Sequence, residues 1–207
     1  MDTGVILAGG RSTRFGEVDK AVAELAGTPM IRRVADRLVD VVDAAVINCR
    51  HDQQAAIEAA MASYPLELTY ALDEEPDLGP MAGIRTGLRA VEGEYAVVVA
   101  CDMPFVDPAF VRHLFDRATG HEAALAQLDD RWFQTTQAVY HAEAMADACA
   151  DALERGERKI VEPLFELDYV VVDEPELRGV ADKDTFENVN TRAEFEAAER
   201  QLTGSNA

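Results

Sequence analysis

Residues 7–20 combine glycines with basic side chains in a pattern that suits an anion. The stretch reads LAGGRSTRFGEVDK and follows an apolar run at residues 4–7 that predicts a first strand. Because glycine has no side chain, backbone N–H groups can approach an anion closely, and Arg14 and Lys20 add positive charge. The stretch therefore predicts a phosphate-binding loop, with an ordinary tight turn as the alternative.

The spacing of the glycines excludes two common phosphate loops. The dinucleotide fingerprint needs Gly-x-Gly-x-x-Gly running into a helix, whereas the glycines here are Gly9, Gly10 and Gly16. The Walker loop ends in Gly-Lys-Ser/Thr, and residues 7–20 contain no such ending. The loop is therefore of a third type.

Three further polar residues stand at or just after the ends of apolar segments: Asn48, Asp73 and Asp102. Ligands of open α/β sheets bind outside the carboxyl ends of the strands, so these residues and the glycine loop should meet in one crevice. Each also has a simpler interpretation. Asn48 could cap a turn, Asp73 lies in an acidic turn-forming run, and Asp102 could cap the next helix, while Lys20 could be a surface lysine.

The chain alternates between strand-like and helix-like segments. The predicted strands are 4–7, 44–48, 66–71 and 95–100, and the predicted helices are 30–42, 52–63, 83–91 and 108–118. A continuous apolar strand such as 97–100 is typical of a parallel sheet covered on both faces. The alternation predicts an α/β protein with a three-layer α/β/α, Rossmann-like fold and a mostly parallel sheet.

The pattern of strands and helices is less regular in the second half of the chain. We expect strands at 122–127, 136–141 and 169–173, a helix that Gly156 ends, and a last helix at 193–202 that Thr191 caps. The interpretation is a single domain over residues 1–202, followed by a disordered tail at 203–207.

The composition excludes several classes of protein. Hydrophobic residues make up 48% of the 207, which argues against disorder, and no apolar run approaches the roughly 20 residues of a membrane helix. Residues 1–4 lack the start of a signal peptide, so we expect a cytoplasmic protein. Cys49, Cys101 and Cys149 are widely spaced, which predicts buried, reduced thiols.

The charge is strongly acidic and unevenly distributed. The formal net charge of −20 disfavours nucleic acid as a partner, and we expect a halophilic acidic surface suited to a high-salt cytoplasm. An ordinary acidic protein is the alternative. Residues 1–20 contain three acidic and three basic residues, so the whole net charge lies in 21–207. The opening loop escapes the acidic bias, as an anion site requires.

The motifs together resemble one family. Residues 7–20 resemble the signature of nucleotidyltransferases of the nucleotide-diphospho-sugar transferase type, and within them the MobA-like molybdenum cofactor guanylyltransferases. Further family blocks are similar to residues 25–30, 79–84, 101–105, 156–159 and 186–191. The resemblance implies a Mg²⁺-dependent enzyme that transfers GMP from GTP to the phosphate of molybdopterin or molybdenum cofactor and releases pyrophosphate. It also implies handover of the product to molybdoenzymes or their chaperones, with no membrane or nucleic-acid partner.

The resemblance also implies a role for each matching position. The backbone of Leu7, Ala8, Gly9 and Gly10 would contact the nucleotide, and the side chains of Lys20 and Arg14 would contact the triphosphate. Asn48 and Asp73 would contact the guanosine. Asp102 would bind Mg²⁺ and lie against the phosphates. Asn188 or Asn190 would complete the metal or acceptor site.

Three alternatives stay open at this point. One is a related transferase with cobinamide phosphate, phospholactate or a sugar phosphate as acceptor, or with CTP as donor. Another is a nucleotide-binding regulator without catalysis, and a more distant one is a dinucleotide-dependent oxidoreductase. Lys20 and Asp102 favour a transferase, since pure binding could dispense with a metal.

Overall fold

A seven-stranded sheet forms the centre of the computed structural model, which describes residues 1–10, 19–73, 78–128 and 132–204. Its strands are β1 (Thr3–Leu7), β4 (Ala44–Cys49), β5 (Glu67–Leu72), β6 (Tyr95–Ala100), β7 (Ala123–Gln127), β8 (Phe133–His141) and β9 (Tyr169–Val172), while β2 (Glu24–Leu25) and β3 (Thr28–Pro29) form a separate hairpin. The strand order is β5-β4-β1-β6-β8-β7-β9. Only β8 runs antiparallel to its neighbours in this sheet, so the predicted mostly parallel sheet is confirmed.

Helices cover both faces of the sheet. They are α1 (Met30–Leu38), α2 (Gln54–Ala60), α3 (Pro80–Arg89), α4 (Pro108–Ala118), α5 (Ala142–Glu154), α6 (Val161–Leu164), α7 (Glu174–Leu177) and α8 (Arg192–Gly204), with 3₁₀ turns at Lys20–Val22 and Lys183–Phe186. Buried side chains of α1, α2 and α4 share one core with one sheet face, and those of α3 and α5 share a second core with the other. The three-layer α/β/α prediction is confirmed.

The two cores explain why β6 is apolar from Ala96 to Ala100. In β6, Val97 and Val99 face the first core, while Ala96 and Val98 face the second. A polar side chain on either face would need a hydrogen-bond partner inside the protein, because helices cover both faces. A Cβ on Gly87 of α3 would lie 2.6 Å from a Val5 methyl group, so glycine there lets α3 lie directly against β1.

The structure changes several predicted boundaries. Strand 95–100 and helix 108–118 have the predicted bounds, whereas α1 and α2 are shorter than expected. Strand β8 begins at Phe133, and a register shift between Leu125 and Gln127 of β7 accommodates its extra length. The β2–β3 hairpin and the short helices α6 and α7 are not among the elements predicted from the sequence.

The predicted tail needs a correction at its start. Thr203 and Gly204 belong to α8, and the Thr203 hydroxyl donates to the carbonyl of Glu199 at 2.8 Å, one helical turn back. Residues 205–207 lie outside the described residues.

The three cysteines are free thiols, with Cys49 and Cys149 buried and Cys101 partly so. Among the described helices, none is both long and apolar enough to cross a lipid bilayer.

Candidate functional site

The carboxyl ends of four strands lie along one edge of the sheet. Strands β5, β4, β1 and β6 are neighbours in that order, and each runs parallel to the next. Leu7 pairs with Asn48 on one side and with Ala100 on the other. Because the last residues of these strands pair with one another, the residues that follow the strands meet at this edge, as predicted from the sequence.

Lys20, Asp102 and Asn190 form an ion-pair cluster at this edge. The Lys20 ammonium donates to Asp102 Oδ2 at 2.8 Å and to Asn190 Oδ1 at 2.9 Å. Lys20 is only 8% exposed, so the alternative of a solvated surface lysine is wrong. The other carboxylate oxygen, Asp102 Oδ1, is buried and has no hydrogen-bond partner among the described residues. A buried polar atom of this kind is costly unless a ligand or cation completes it.

Asp102 does not cap the helix that follows it. That position belongs to Asp107, whose side chain accepts a hydrogen bond from Ala109 N at 2.7 Å at the start of α4. The Asp102 carbonyl instead accepts from Val189 N at 2.8 Å. This backbone contact brings the C-terminal part of the chain to the sheet edge.

A capping box places Asn190 next to Lys20. Thr191 Oγ1 accepts from Glu194 N at 3.2 Å, and Glu194 Oε2 accepts from Thr191 N at 2.8 Å and from Asn190 N at 2.6 Å. The predicted Thr191 cap is thus confirmed, and the bonds from the two backbone N–H groups lower the pKa of Glu194. Asn188 instead donates to the carbonyl of Phe186 at 3.2 Å. Of the two asparagines, Asn190 is the one that contacts Lys20.

Gly9, Asn48, Asp73 and Gly83 form a second group, the amide cluster. The Asn48 side chain is 1% exposed and donates to Asp73 Oδ1 at 2.7 Å and to the carbonyl of Ala71 at 3.1 Å. A Cβ on Gly9 would lie 2.6 Å from Asp73 Oδ2, and one on Gly83 would lie 2.5 Å from Asn48 Oδ1. Glycine at both positions therefore lets the loop and α3 close around two polar side chains.

Burial raises the pKa of Asp73 above its usual value. The hydrogen bond from Asn48 and electrostatic interactions with Arg50, Arg85 and His51 oppose that rise. Desolvation thus disfavours the ionised form of Asp73, although basic groups lie around it.

The remaining positions of the loop are fixed through their backbone. Ala8 N donates to the carbonyl of Asn48 at 2.8 Å, and the carbonyl of Leu7 accepts from Cys101 N at 3.0 Å. The carbonyls of Gly9 and Gly10 accept from Arg50, and neither Arg50 nor Gln53 is among the site residues predicted from the sequence. Both missed residues closely follow β4, so the strand-end rule that found Asn48 could have found them. Arg14 lies outside the described residues.

The ion-pair cluster offers one carboxylate for a metal ion. The described residues contain no group of three or more His, Cys, Asp or Glu side chains that could hold a metal. Mg²⁺ is usually bound through one or two carboxylates together with substrate phosphates, so it does not need such a group. Asp102 Oδ1, which is buried and without a partner among the described residues, fits that mode of binding.

The doubly covered, mostly parallel sheet, with a glycine loop, a buried lysine and a carboxylate at its carboxyl edge, places the chain in the class of α/β proteins that bind ligands at the carboxyl ends of their strands. Comparison with known families is more specific, since a model described as the MobA-like NTP transferase domain matches residues 4–170. The chain belongs to the MobA-like NTP transferase family, and the resemblance drawn from its motifs is confirmed.

The similarity to individual relatives covers nearly the whole chain. A probable molybdenum cofactor guanylyltransferase from Natronomonas pharaonis is 48% identical over 201 residues, which are 97% of this chain and 98% of the relative. One from Haloferax mediterranei is 40% identical over 194 residues, covering 92% and 91%. The crystal structure of molybdopterin-guanine dinucleotide biosynthesis protein A from Archaeoglobus fulgidus is 30% identical, with a TM-score of 0.79, covering 98% of this chain and 99% of that one.

Proposed function

We propose that the chain transfers GMP from GTP to the phosphate of molybdopterin, or of its molybdenum-loaded form, and releases pyrophosphate. The observation that carries the proposal is the ion-pair cluster beside the glycine loop, in a chain whose relatives are named molybdenum cofactor guanylyltransferases. We place the reaction in the cytoplasm, with the product passed to molybdoenzymes or their chaperones.

The proposed reaction needs alignment and charge neutralisation more than proton transfer. The acceptor phosphate is already an anionic nucleophile, and its approach to a triphosphate is opposed by like charge. Lys20 donates two of its three ammonium N–H groups in hydrogen bonds to Asp102 and Asn190, which fixes the direction of its side chain. We propose that the third proton meets the triphosphate and stabilises the charge that grows on pyrophosphate.

We propose that Asp102 holds Mg²⁺ through Oδ1. Lys20 binds the other oxygen, so the carboxylate is oriented with Oδ1 free to act as a ligand. When bound there, Mg²⁺ would offset negative charge on the α-phosphate and on the leaving group. Asn190, which already holds Lys20, is the better of the two asparagines to complete the metal or acceptor site, and Asn188 is the alternative that the resemblance implies.

We assign the guanosine end of the nucleotide to the amide cluster. Asn48 and Asp73 lie directly against the backbones of Gly9 and Gly83, and the backbone of Leu7, Ala8, Gly9 and Gly10 would contact the phosphates and sugar. Arg14 remains a proposed partner of the triphosphate.

Label transfer tests the donor and the acceptor together. Each of the four nucleoside triphosphates, labelled at the α-phosphate, is offered with molybdopterin and Mg²⁺, and the label on the pterin is followed. We expect transfer from GTP alone, release of pyrophosphate and loss of both with EDTA. Transfer from CTP would replace the donor assignment, and GTP binding without any transfer would favour a non-catalytic regulator.

A further inference from the structure

Three consecutive carbonyl groups at the start of the glycine loop are bound by two side chains that follow β4. Gln53 Nε2 donates to the carbonyl of Ala8 at 3.0 Å. Arg50 Nη1 donates to the carbonyls of Gly9 at 2.8 Å and of Gly10 at 3.0 Å. No part of the mechanism above uses either side chain.

These contacts determine which way the loop N–H groups point. In a planar trans peptide, the carbonyl of one residue and the N–H of the next point in opposite directions, and the described residues contain no cis peptide bond. Since the Ala8 carbonyl faces Gln53, the N–H of Gly9 faces away from it. The same geometry turns the N–H of Gly10 away from Arg50. Both N–H groups are thus directed to the opposite side of the loop.

The two side chains are themselves held in place. Gln53 is 3% exposed, its Oε1 accepts from Arg50 N at 3.1 Å, and its Nε2 also donates to Asp19 Oδ2. Arg50 forms a fork with Asp52, with Nε–Oδ1 at 3.0 Å and Nη2–Oδ2 at 3.4 Å. Carboxylates therefore balance much of the Arg50 charge, which argues for a role in placing the loop rather than in attracting phosphate.

The same network reaches the lysine of the ion-pair cluster. Asp19, which Gln53 binds, also accepts from Ala21 N at 3.0 Å and caps the 3₁₀ turn that begins with Lys20. The segments on either side of residues 11–18 are thus held by one set of side chains.

We infer that Arg50 and Gln53 are positioning residues, which hold the loop so that the N–H groups of Gly9 and Gly10 face the phosphates of the nucleotide. The inference rests on the proposed function, because it takes a nucleoside triphosphate as the ligand. Lysine at position 50 would keep the charge but could not reproduce the planar fork that joins two carbonyls to Asp52. Arg50→Lys therefore separates placement from charge.

The experiment measures binding without catalysis. Calorimetry gives the affinities of wild type and Arg50→Lys for Mg²⁺-GTP and for inorganic tripolyphosphate, and NMR gives the hydrogen-exchange rates of the Gly9 and Gly10 amides. We expect Arg50→Lys to weaken the binding of both ligands by a similar factor of about ten and to speed the hydrogen exchange of the Gly9 and Gly10 amides. A residue with a merely structural role would lower the melting temperature without this matched loss.

Arg32→Lys is the matched control. Arg32 Nε pairs with Asp36 at 2.8 Å and its Nη1 donates to the carbonyl of Ala62 at 3.0 Å, so it has the same kinds of partner away from the loop. Its affinities should equal those of wild type. Should Arg50→Lys fail to fold, Asp52→Ala decides by the same readouts, since the exposed Asp52 pairs with Arg50 Nε at 3.0 Å and its loss should weaken binding by about two- to three-fold.

Two negative results have different meanings. Wild-type protein that binds neither GTP nor tripolyphosphate would contradict the proposed function. Wild-type protein that binds both, with unchanged affinities and amide exchange in the deciding variant, would overturn the role of Arg50 and leave the proposed function standing.

Discussion

The ion-pair cluster and the amide cluster keep polar groups at the same sheet edge in different ways. In the ion-pair cluster, Lys20 and Asp102 neutralise each other, and Asn190 comes from the far end of the chain. In the amide cluster, the carboxylate of Asp73 has no salt bridge to a basic residue in the described part of the chain, and its partner is a neutral amide. The first cluster depends on charge, whereas the second depends on how closely glycine backbones approach.

The contrast indicates which changes should harm each cluster. Removing a charge without changing shape should damage the ion-pair cluster most, because its bonds are charge-assisted. Adding one methyl group should damage the amide cluster most, because backbone and side-chain atoms already touch there.

The largest effect is expected for Asp102→Asn. Asparagine keeps the shape and can still accept from Lys20, but it removes the negative charge at the proposed Mg²⁺ ligand. We expect the rate of pyrophosphate release with GTP and acceptor to fall by about 100- to 1,000-fold, while the melting temperature stays within a few degrees of wild type. The rate is measured over a range of Mg²⁺ concentrations.

Asp36→Asn is the control for that variant. Asp36 also accepts from a basic side chain, Arg32, but lies on the surface of α1. Its rate should match wild type. Near-normal turnover in Asp102→Asn would remove both the metal assignment and the view that charge dominates this cluster.

An added methyl group tests the amide cluster, with its neighbour in sequence as control. The Cβ of Gly9→Ala would lie 2.6 Å from Asp73 Oδ2, whereas that of Gly10→Ala meets no described atom within 4 Å. We expect Gly9→Ala to lose about 1–3 kcal/mol of unfolding free energy and at least about ten-fold in GTP affinity. Thermal melting of Gly10→Ala should match wild type, and equal losses of stability in the two variants would contradict the steric account.

Much of this architecture could be predicted because it follows from local pattern. The apolar run 95–100 predicts a strand covered on both faces, and the Asp-Pro step at 107–108 marks the start of α4. Lys20 and Asp102 could be named because a motif carries them. Their convergence follows from the parallel order of the strands.

The rest depends on contacts between distant parts of the chain. The strand-end rule could have pointed to Arg50 but not to its partners, the carbonyls of Gly9 and Gly10, because a backbone carbonyl leaves no mark in the sequence. The choice between Asn188 and Asn190 depends on the Val189–Asp102 backbone bond, which no local pattern contains. The start of β8 depends on an irregular register with β7 rather than on alternation of apolar residues.

The smallest effect is expected for Asp73→Asn, and it has the opposite sign for stability and for binding. Burial raises the pKa of Asp73 in the folded protein, so folding favours its protonated form. The carboxylate therefore costs stability as the pH rises through and above its usual range near 3.8, and this cost is absent at lower pH, where both states are protonated. Asparagine avoids it and can still accept the hydrogen bond from Asn48.

We therefore expect the melting temperature of Asp73→Asn to exceed that of wild type by up to about 3 °C at pH 7, with the difference shrinking towards pH 3, while GTP affinity falls about ten-fold. Asp147→Asn, which changes an exposed carboxylate paired with Arg89, should show no loss of GTP affinity. A gain in stability together with a loss of binding would mean that the charge of Asp73 is kept for the ligand. Destabilisation at pH 7 that disappears towards pH 3 would instead mean that the charge of Asp73 stabilises the framework that holds Asn48, and the amide cluster would then depend on a charge after all.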